Sequence, residues 1–179
     1  MRAVTDNVAA ARVSVPQPEC IHVISWAEID GLVELLADRV SNLGFEAVVG
    51  ISRSGLVPAV MLSHTIGVRA LSAINIIRTL SDEINAAKKE PVCHGILDPQ
   101  ALGGRKILLV DDIVGKGLTM RLAVQALRNI GASPISATLV VNKANLGDTP
   151  VDSVVDHYGC LVHGWVVFPW EGKGPAVHA

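Results

Sequence analysis

Apolar residues near the start of the chain recur with the period of a helix. Residues 25–44 carry apolar side chains at every third or fourth position, which predicts an amphipathic helix. Ser25 and Glu28 have the spacing of a capping box at its start, and Gly44 is a natural C-terminal stop. The apolar face consists of Ile29, Leu32, Val33, Leu36 and Val40.

The rest of the chain alternates short apolar runs with helical stretches. The apolar runs have the length of strands, and longer segments, two of them with the pattern of a helix, separate them. Repeated strand-then-helix units predict an α/β fold, with a parallel sheet flanked by helices on both faces. Strands are expected at residues 46–51, 70–77, 105–110 and 135–141, helices at 55–67 and 118–131, and shorter strand-like pieces at 153–159 and 165–169.

Residues 78–104 interrupt this pattern. The segment is polar and contains two prolines and three glycines. Because it is longer than a usual connection in a compact domain, we expect it to be either disordered or a functional flap.

Composition favours one globular domain. The chain has 179 residues, half of them apolar and 18% charged, which is enough apolar material for a sizeable core. The net charge of −2 shows no bias toward nucleic acid or an anionic membrane, so neither partner is expected. The predicted boundaries are an N-terminal extension over residues 1–20, a domain over 21–171 and a C-terminal tail over 172–179.

Cysteine and tryptophan positions favour structural roles. Cys20, Cys93 and Cys160 lack metal-ligand spacing and are expected to be reduced thiols. Trp26 is expected in the core, and Trp170 is expected to be structural. The N-terminus lacks a continuous apolar core of signal-peptide length, and no run approaches the ~20 apolar residues of a membrane span. We therefore expect a cytoplasmic protein.

Two adjacent acids, Asp111 and Asp112, follow the apolar run 105–110. Ligands of open parallel sheets bind beyond the carboxyl ends of the strands. Adjacent carboxylates repel each other unless hydroxyl donors or a cation offset the repulsion. The pair is therefore a candidate for binding a polyhydroxylated ligand. The alternative is a pair of helix-capping or solvated acids.

The loop after the acids has the composition of a phosphate site. Gly115 and Gly117 would let backbone NH groups turn inward, and Thr119 adds a hydroxyl near a helix N-terminus. The Walker pattern is absent. Acids for sugar hydroxyls beside a phosphate cradle indicate a ribose 5-phosphate.

Three stretches together resemble one enzyme family. ILLVDDIVGKGLTM at 107–120 resembles the phosphoribosyl pyrophosphate (PRPP) signature of type I phosphoribosyltransferases. GISRSGLVPA at 50–59 is similar to the pyrophosphate loop of that family. GWVVFPWE at 164–171 is similar to the base-binding end of its purine branch, which contains xanthine-guanine and archaeal hypoxanthine-type enzymes.

The resemblance covers about residues 22–171 and implies both a fold and an activity. The fold would be a PRPP-binding α/β core with a small hood. The reaction would transfer the 5-phosphoribosyl group from PRPP to a purine or purine-like base, releasing pyrophosphate and forming a nucleoside 5′-monophosphate. Family members commonly form dimers, so we expect a homodimer.

The resemblance also assigns residues to PRPP. Asp111 and Asp112 would hold the ribose hydroxyls, and Arg53 would supply a fixed positive charge for pyrophosphate. With Lys116, these are the implied catalytic residues. Relatives often carry a non-proline cis peptide, which would fall at Ser52–Arg53. The implied PRPP-binding residues are Ser52, Arg53, Ser54, Gly55, Asp111, Asp112, Val114, Gly115, Lys116, Gly117, Leu118 and Thr119.

The acceptor base and the metal would lie next to PRPP. By resemblance, Lys143 would donate to an exocyclic oxygen of a 6-oxopurine, Trp165 would stack on the base, and the backbone near Val166 would contact its other edge. Mg²⁺ is expected to bridge pyrophosphate and ribose oxygens, with Asp112 and Glu171 as candidate ligands largely through water.

Segment 78–104 would close over the pyrophosphate and exclude water from a reactive sugar cation. Arg78, Lys88 and Lys89 are candidates for contacting its anionic oxygens. For each of them taken singly, a solvated loop charge is the alternative.

One position departs from the family pattern. The purine branch normally has acid-acid-x-x-Asp-Thr-Gly-x-Thr, and here Gly115 replaces the third acid, which usually assists removal of the purine proton. The base could be acidic enough to bind as its anion. Another group, such as His157, Tyr158 or Glu171, could serve instead. Catalysis could also be lost, leaving a PRPP-binding regulator.

Lys116 replaces the Thr of the same pattern. Its ammonium group would favour an anion, either the 5-phosphate or a carboxylate on an unusual base such as a carboxylated deazapurine. A nucleotide-binding response module with a phosphorylation site at the acidic strand end is a further alternative, which the pyrophosphate-type loop disfavours.

Overall fold

A computed structural model describes residues 20–78 and 90–171. Two short 3₁₀ helices, Ser41–Leu43 and Val151–Ser153, accompany the main elements. In chain order, these elements are β1 (Ile21–Val23), α1 (Trp26–Val40), β2 (Ala47–Ser52), α2 (Leu56–Thr65), β3 (Leu71–Ile77), β4 (Val92–Ile96), α3 (Pro99–Leu102), β5 (Lys106–Val114), α4 (Leu118–Asn129), β6 (Ser133–Asn142), α5 (Lys143–Leu146), β7 (His157–Val162) and β8 (Trp165–Val167).

Six strands form the main sheet in the order β4-β3-β2-β5-β6-β7. All neighbours are parallel except β4, which runs antiparallel to β3 at one edge. The strands β1 and β8 form a separate two-stranded parallel sheet. The predicted α/β class with a mostly parallel sheet is confirmed. Because parallel strands need crossover connections, helices cover the faces of the sheet.

The central strands are apolar on both faces because each face packs against helices. Leu108 of β5 lies in one buried cluster with residues of α1 and α2, including Leu36 and Leu62. The next residue, Leu109, points to the opposite face and packs with α4, including Leu127. All of these side chains are fully buried. This explains why the strands appear in the sequence as continuous apolar runs.

Helix α1 begins as its sequence predicts. The Ser25 backbone N–H donates to the Glu28 carboxylate at 2.7 Å, and the Glu28 N–H donates to Ser25 Oγ at 3.3 Å, which completes the capping box. The helix passes into the 3₁₀ turn Ser41–Leu43, and Gly44 follows in the left-handed region with φ 69°.

The segment 78–104 contains more regular structure than its composition predicts. Strand β4 pairs with β3, and α3 follows it, so the alternative of a disordered segment was wrong for residues 90–104. The functional flap stays a prediction. Proline and glycine misled the prediction, because they mark the ends of a short edge strand as well as loops. Lys88 and Lys89 lie outside the described residues.

Two further predictions are corrected by the structure. Residues 153–159 do not form one strand, since a 3₁₀ turn ends at Ser153 and β7 begins at His157. Trp26 is not in the core: it is 54% exposed, and its ring lies 5.8 Å from that of Trp170. Trp170 stacks on buried Phe168 at 4.7 Å, so the apolar surface of Phe168 is covered by Trp170 and not by Trp26.

Other sequence expectations concern the ends of the chain and its thiols. The proposed extension and tail fall on residues 1–19 and 172–179, outside the described residues, apart from Cys20. The three cysteines are unpaired thiols. Within residues 20–78 and 90–171, no helix is long and apolar enough to cross a membrane.

Candidate active site

The carboxyl ends of four neighbouring strands surround one cavity of about 660 Å³. Strands β3, β2, β5 and β6 end at this edge of the sheet, where ligands of open α/β sheets bind. The predicted pyrophosphate loop, both acids and most of the phosphate loop line the same space. The lining residues are Ile51 to Ser54, Asn75 to Arg78, Asp111 to Gly115, Gly117 to Met120, Asn142 and Asn145.

The loop between β2 and α2 approaches the acids closely. The peptide bond Ser52–Arg53 is cis, as the resemblance implies. Ser52 Oγ donates to Asn75 Oδ1 at 3.3 Å, which connects the loop to β3. Gly55 lies behind the cavity, where an added Cβ would be 2.9 Å from the Asp111 Cα and Oδ1. Only glycine permits this approach, so the loop and the acids form one packed unit.

Both acids lie inside β5, not after it as the sequence suggested. The pairing of β5 with β2 stops at Val110, whereas its pairing with β6 continues to Val114. Beyond Val110, one side of β5 is therefore open to the cavity while the other side remains hydrogen-bonded. The expectation of a loop at this point was wrong, because the two edges of the strand lose their partners at different residues.

Burial dominates the electrostatics of this carboxylate pair. Asp111 and Asp112 are 9% and 7% exposed. Burial, followed by the neighbouring charge of Asp112, raises the pKa of Asp111 well above its ordinary value. Burial also raises the pKa of Asp112 to about 6, with a smaller contribution from the Glu171 charge.

Backbone groups hold both carboxylates in place. Asp111 Oδ1 accepts from the Asp112 N–H at 3.1 Å, and Asp112 Oδ1 accepts from the Ile113 N–H at 2.8 Å. Each carboxylate thus retains an oxygen that these bonds do not use. Such oxygens can accept from sugar hydroxyls or bind a cation.

The phosphate loop leads directly into α4. Gly117 has φ 72°, and α4 begins at Leu118, so the first backbone N–H groups of the helix have no intrahelical acceptor. Thr119 lines the cavity beside them. Gly115 also lines the cavity but does not have a positive φ. Lys116 is exposed and does not line the cavity, and its carbonyl accepts from Arg121.

The residues expected to bind the base do not line this cavity. Lys143 begins α5, and its Nζ donates to the Gly147 carbonyl at 3.2 Å. Trp165 and Val167 direct backbone bonds to β1, so the N–H and C=O of Val166 face the opposite side. Glu171 accepts from the Phe168 N–H at 2.9 Å, and its charge acts on Asp112.

The candidates to replace the missing acid lie elsewhere. His157 and Tyr158 are the first two residues of β7, and they pair with Ala137 and Thr138 of β6. Neither residue lines the cavity. Of the three named substitutes, only Glu171 acts electrostatically on an acid of the cavity.

Three asparagines that the sequence analysis missed line the cavity. Asn75, Asn142 and Asn145 lie at the ends of β3 and β6 or just beyond. The available signal was a polar amide in or directly after an apolar run that had already been predicted as a strand. Asn142 is 5% exposed and donates to the Gly164 carbonyl at 2.6 Å.

This geometry agrees with comparisons to known proteins. The family model described as phosphoribosyl transferase domain matches residues 25–172. The chain belongs to the phosphoribosyltransferase family. The recognition made from three short motifs, a type I member related to the purine branch, is confirmed.

The relatives of this phosphoribosyltransferase include xanthine-guanine enzymes and a transcriptional regulator. It is 31% identical over 165 residues to xanthine-guanine phosphoribosyltransferase of Cereibacter sphaeroides, covering 88% of this chain and 90% of the relative. The Gluconobacter oxydans enzyme of that name is 29% identical, with 86% and 88% covered. Transcriptional regulator GfcR 1 of Methanosarcina barkeri is 27% identical, with 75% and 64% covered.

A solved structure supports the same fold for this phosphoribosyltransferase. Purine phosphoribosyltransferase from Pyrococcus horikoshii superposes with a TM-score of 0.71 at 25% identity, covering 89% of this chain and 98% of the other. The type I phosphoribosyltransferase fold predicted from sequence is therefore confirmed.

Proposed function

We propose that this protein transfers the 5-phosphoribosyl group of PRPP to a purine or purine-like base, forming a nucleoside 5′-monophosphate and releasing pyrophosphate. One observation carries the proposal: the Ser52–Ser54 loop, the carboxylates of β5 and the start of α4 all line one cavity. These groups suit a pyrophosphate, a ribose and a 5-phosphate. The purine names of the relatives support the choice of acceptor.

The ribose would be held by Asp111 and Asp112. As carboxylates they accept hydrogen bonds from the 2- and 3-hydroxyls, and hydrogen bonds to charged groups in a buried site are strong. Such bonds would offset the desolvation that raises both pKa values. Substrate binding would therefore favour the ionised pair.

The two phosphate groups would lie at two helix N-termini. The 5-phosphate would take the Val114–Thr119 loop, where α4 supplies backbone N–H groups and Thr119 a hydroxyl. Pyrophosphate would take Ser52–Gly55, where α2 begins and Arg53 carries a fixed charge. Arg78, which lines the same cavity, would contact the leaving group.

Magnesium fits the donor atoms of this site. Mg²⁺ prefers carboxylate, substrate and water oxygens over an all-protein cage. Among the described residues, no cluster of three or more His, Cys, Asp or Glu side chains could hold a metal alone. Asp112 with Glu171, largely through water, would therefore share the ion with PRPP oxygens. The ion would neutralise charge on the departing pyrophosphate.

The base would bind between the cavity and the small β1–β8 sheet. Lys143, Trp165 and the Val166 backbone that does not pair with β1 would contact it there, with Trp165 stacked on the ring. Because Gly115 cannot remove a proton, we propose an acceptor whose ring N–H is acidic, including a deazapurine carrying a carboxylate. Although Lys116 lies outside the cavity, its positive charge would attract such an anionic base.

Nucleotide formation tests the proposal. The full chain is mixed with PRPP, Mg²⁺ and single bases, and both pyrophosphate and nucleotide are quantified, with PRPP uptake measured by calorimetry. The expected result is stoichiometric release of both products with at least one oxopurine. The double variant with Asp111→Asn and Asp112→Asn should abolish PRPP uptake. Unchanged uptake by that double variant would refute the assignment.

A regulator is the second candidate function. Gly115 in place of the acid and the resemblance to a transcriptional regulator are compatible with it, while the xanthine-guanine relatives make it the weaker candidate. It predicts PRPP uptake without pyrophosphate release for any base, so the same assay separates the two. We further propose a homodimer, which light scattering of the purified chain would test.

A further inference from the structure

Gly115 is a glycine for a reason other than its backbone conformation. Its φ lies outside the left-handed region, so any residue could adopt this backbone. What restricts the position is Asn145: an added Cβ on Gly115 would be 3.0 Å from the Asn145 Cβ and 3.7 Å from its Cγ and Nδ2. The Asn145 side chain therefore lies against the space that a side chain at position 115 would fill.

A chain of hydrogen bonds fixes the position of Asn145. Its backbone N–H donates to Asn142 Oδ1 at 3.4 Å, and Asn142 Nδ2 donates to the Gly164 carbonyl at 2.6 Å. Gly164 immediately precedes Trp165, the residue expected to stack on the base. These bonds connect the backbone of Asn145 to the segment that carries Trp165, while the Asn145 side chain lines the cavity.

The Asn145 amide is available to a ligand. The side chain is exposed, lines the cavity, and makes no hydrogen bond with any group of residues 20–78 and 90–171. A primary amide offers a donor and an acceptor together, and it carries no charge. Unlike a carboxylate, it cannot take a proton from a ring nitrogen.

We propose that Asn145 is a specificity-determining residue that hydrogen-bonds the acceptor base where Gly115 leaves room. This inference rests on the function proposed above, and it adds a residue that contacts the base and selects among bases. A neutral amide accepts a base that has already lost its ring proton, which a carboxylate would repel. The selected class is therefore oxopurines with an acidic ring N–H, such as a 2,6-dioxopurine, over a 6-oxopurine such as hypoxanthine.

Two substitutions test the residue in the full chain. Xanthine and hypoxanthine are titrated by calorimetry in the presence of pyrophosphate and Mg²⁺, and kcat/KM is measured for both bases. Asn145→Ala should weaken xanthine binding by at least about 10-fold, because it removes a hydrogen bond to an anionic base. Asn145→Asp should lower the xanthine-to-hypoxanthine ratio of kcat/KM by at least about 10-fold, because it brings a charge that repels the anion.

The KM for PRPP separates this role from a general structural one. It should remain within about twofold in both variants, since Asn145 would touch only the base. Asp148→Ala is the matched control, because Asp148 is exposed in the same segment and does not line the cavity. It should leave all constants unchanged.

Each result decides the inference. The role of Asn145 would be overturned by unchanged base affinity in Asn145→Ala, by an unchanged xanthine-to-hypoxanthine ratio in Asn145→Asp, or by an equal loss of PRPP affinity. Activity of the wild type would leave the proposed function intact in each case. A wild-type protein that neither binds nor ribosylates any base would refute the proposed function itself, and this inference with it.

Discussion

Asp112→Asn should make the protein more stable and less able to bind PRPP. Burial raises the pKa of Asp112 from 3.8 to about 6. A group whose pKa is raised on folding contributes stability that is present below the unfolded pKa and lost as the pH rises through the folded value. Here the window runs from about pH 4 to about pH 6, and the lost stability is about 3 kcal/mol, at 1.36 kcal/mol per pH unit. Asparagine never ionises, so it avoids this loss.

Urea unfolding between pH 4.5 and pH 8 measures the effect. The Asn side-chain oxygen can keep the 2.8 Å bond from the Ile113 N–H, so the local geometry is retained. The gain of the variant over the wild type should grow with pH and level off above about pH 7, at up to about 3 kcal/mol. The exposed control Asp148→Asn should show no such trend. A variant that is no more stable than the wild type at pH 8 would refute the view that this carboxylate is held ionised at the expense of the fold.

Three other outcomes follow from the same geometry. Gly55→Ala would place a Cβ 2.9 Å from the Asp111 Cα, so it should destabilise by about 1–3 kcal/mol and lower kcat/KM by about 100-fold, which urea unfolding and kinetics would measure. Asn142→Ala leaves the Gly164 carbonyl unsatisfied, so it should cost about 1–3 kcal/mol and raise the KM for the base, while an unchanged melting temperature would contradict this. Lys116→Ala should reduce activity toward an anionic base more than toward guanine, and the difference should shrink in high salt. An equal loss for both bases would show that its charge is not used.

Local sequence signals were sufficient for most of the fold. The capping box at Ser25 and the apolar period after it place α1 to within a residue at its start. The apolar runs of β2, β3, β5 and β6 also match the structure near their starts. In β2, β5 and β6 the runs are continuous because buried parallel strands need side chains that pack on both faces. The failures are β1, β4 and the start of β7, which depend on pairing with distant strands, and the two four-residue helices α3 and α5.

Some residues of the candidate site could also be predicted from local sequence, and others could not. Asp111, Asp112 and the loops at Ser52 and Gly117 were predicted because each forms a short motif with its own chemistry. The cavity asparagines were missed because an amide has no motif, and its role depends on which strands end side by side. Lys116 was expected in the cavity and is not there, since the direction of a loop side chain is set by the helix that follows.

The sequence by itself determined the fold class, the family and the two phosphate-type loops, because periodicity and short motifs are local properties of the chain. Tertiary structure alone decided that β5 loses β2 as a partner at Val110 while keeping β6, which opens the cavity beside two buried acids. It also decided that Asn145 lies against Gly115. Both facts concern atoms far apart in sequence, and packing is what brings such atoms together.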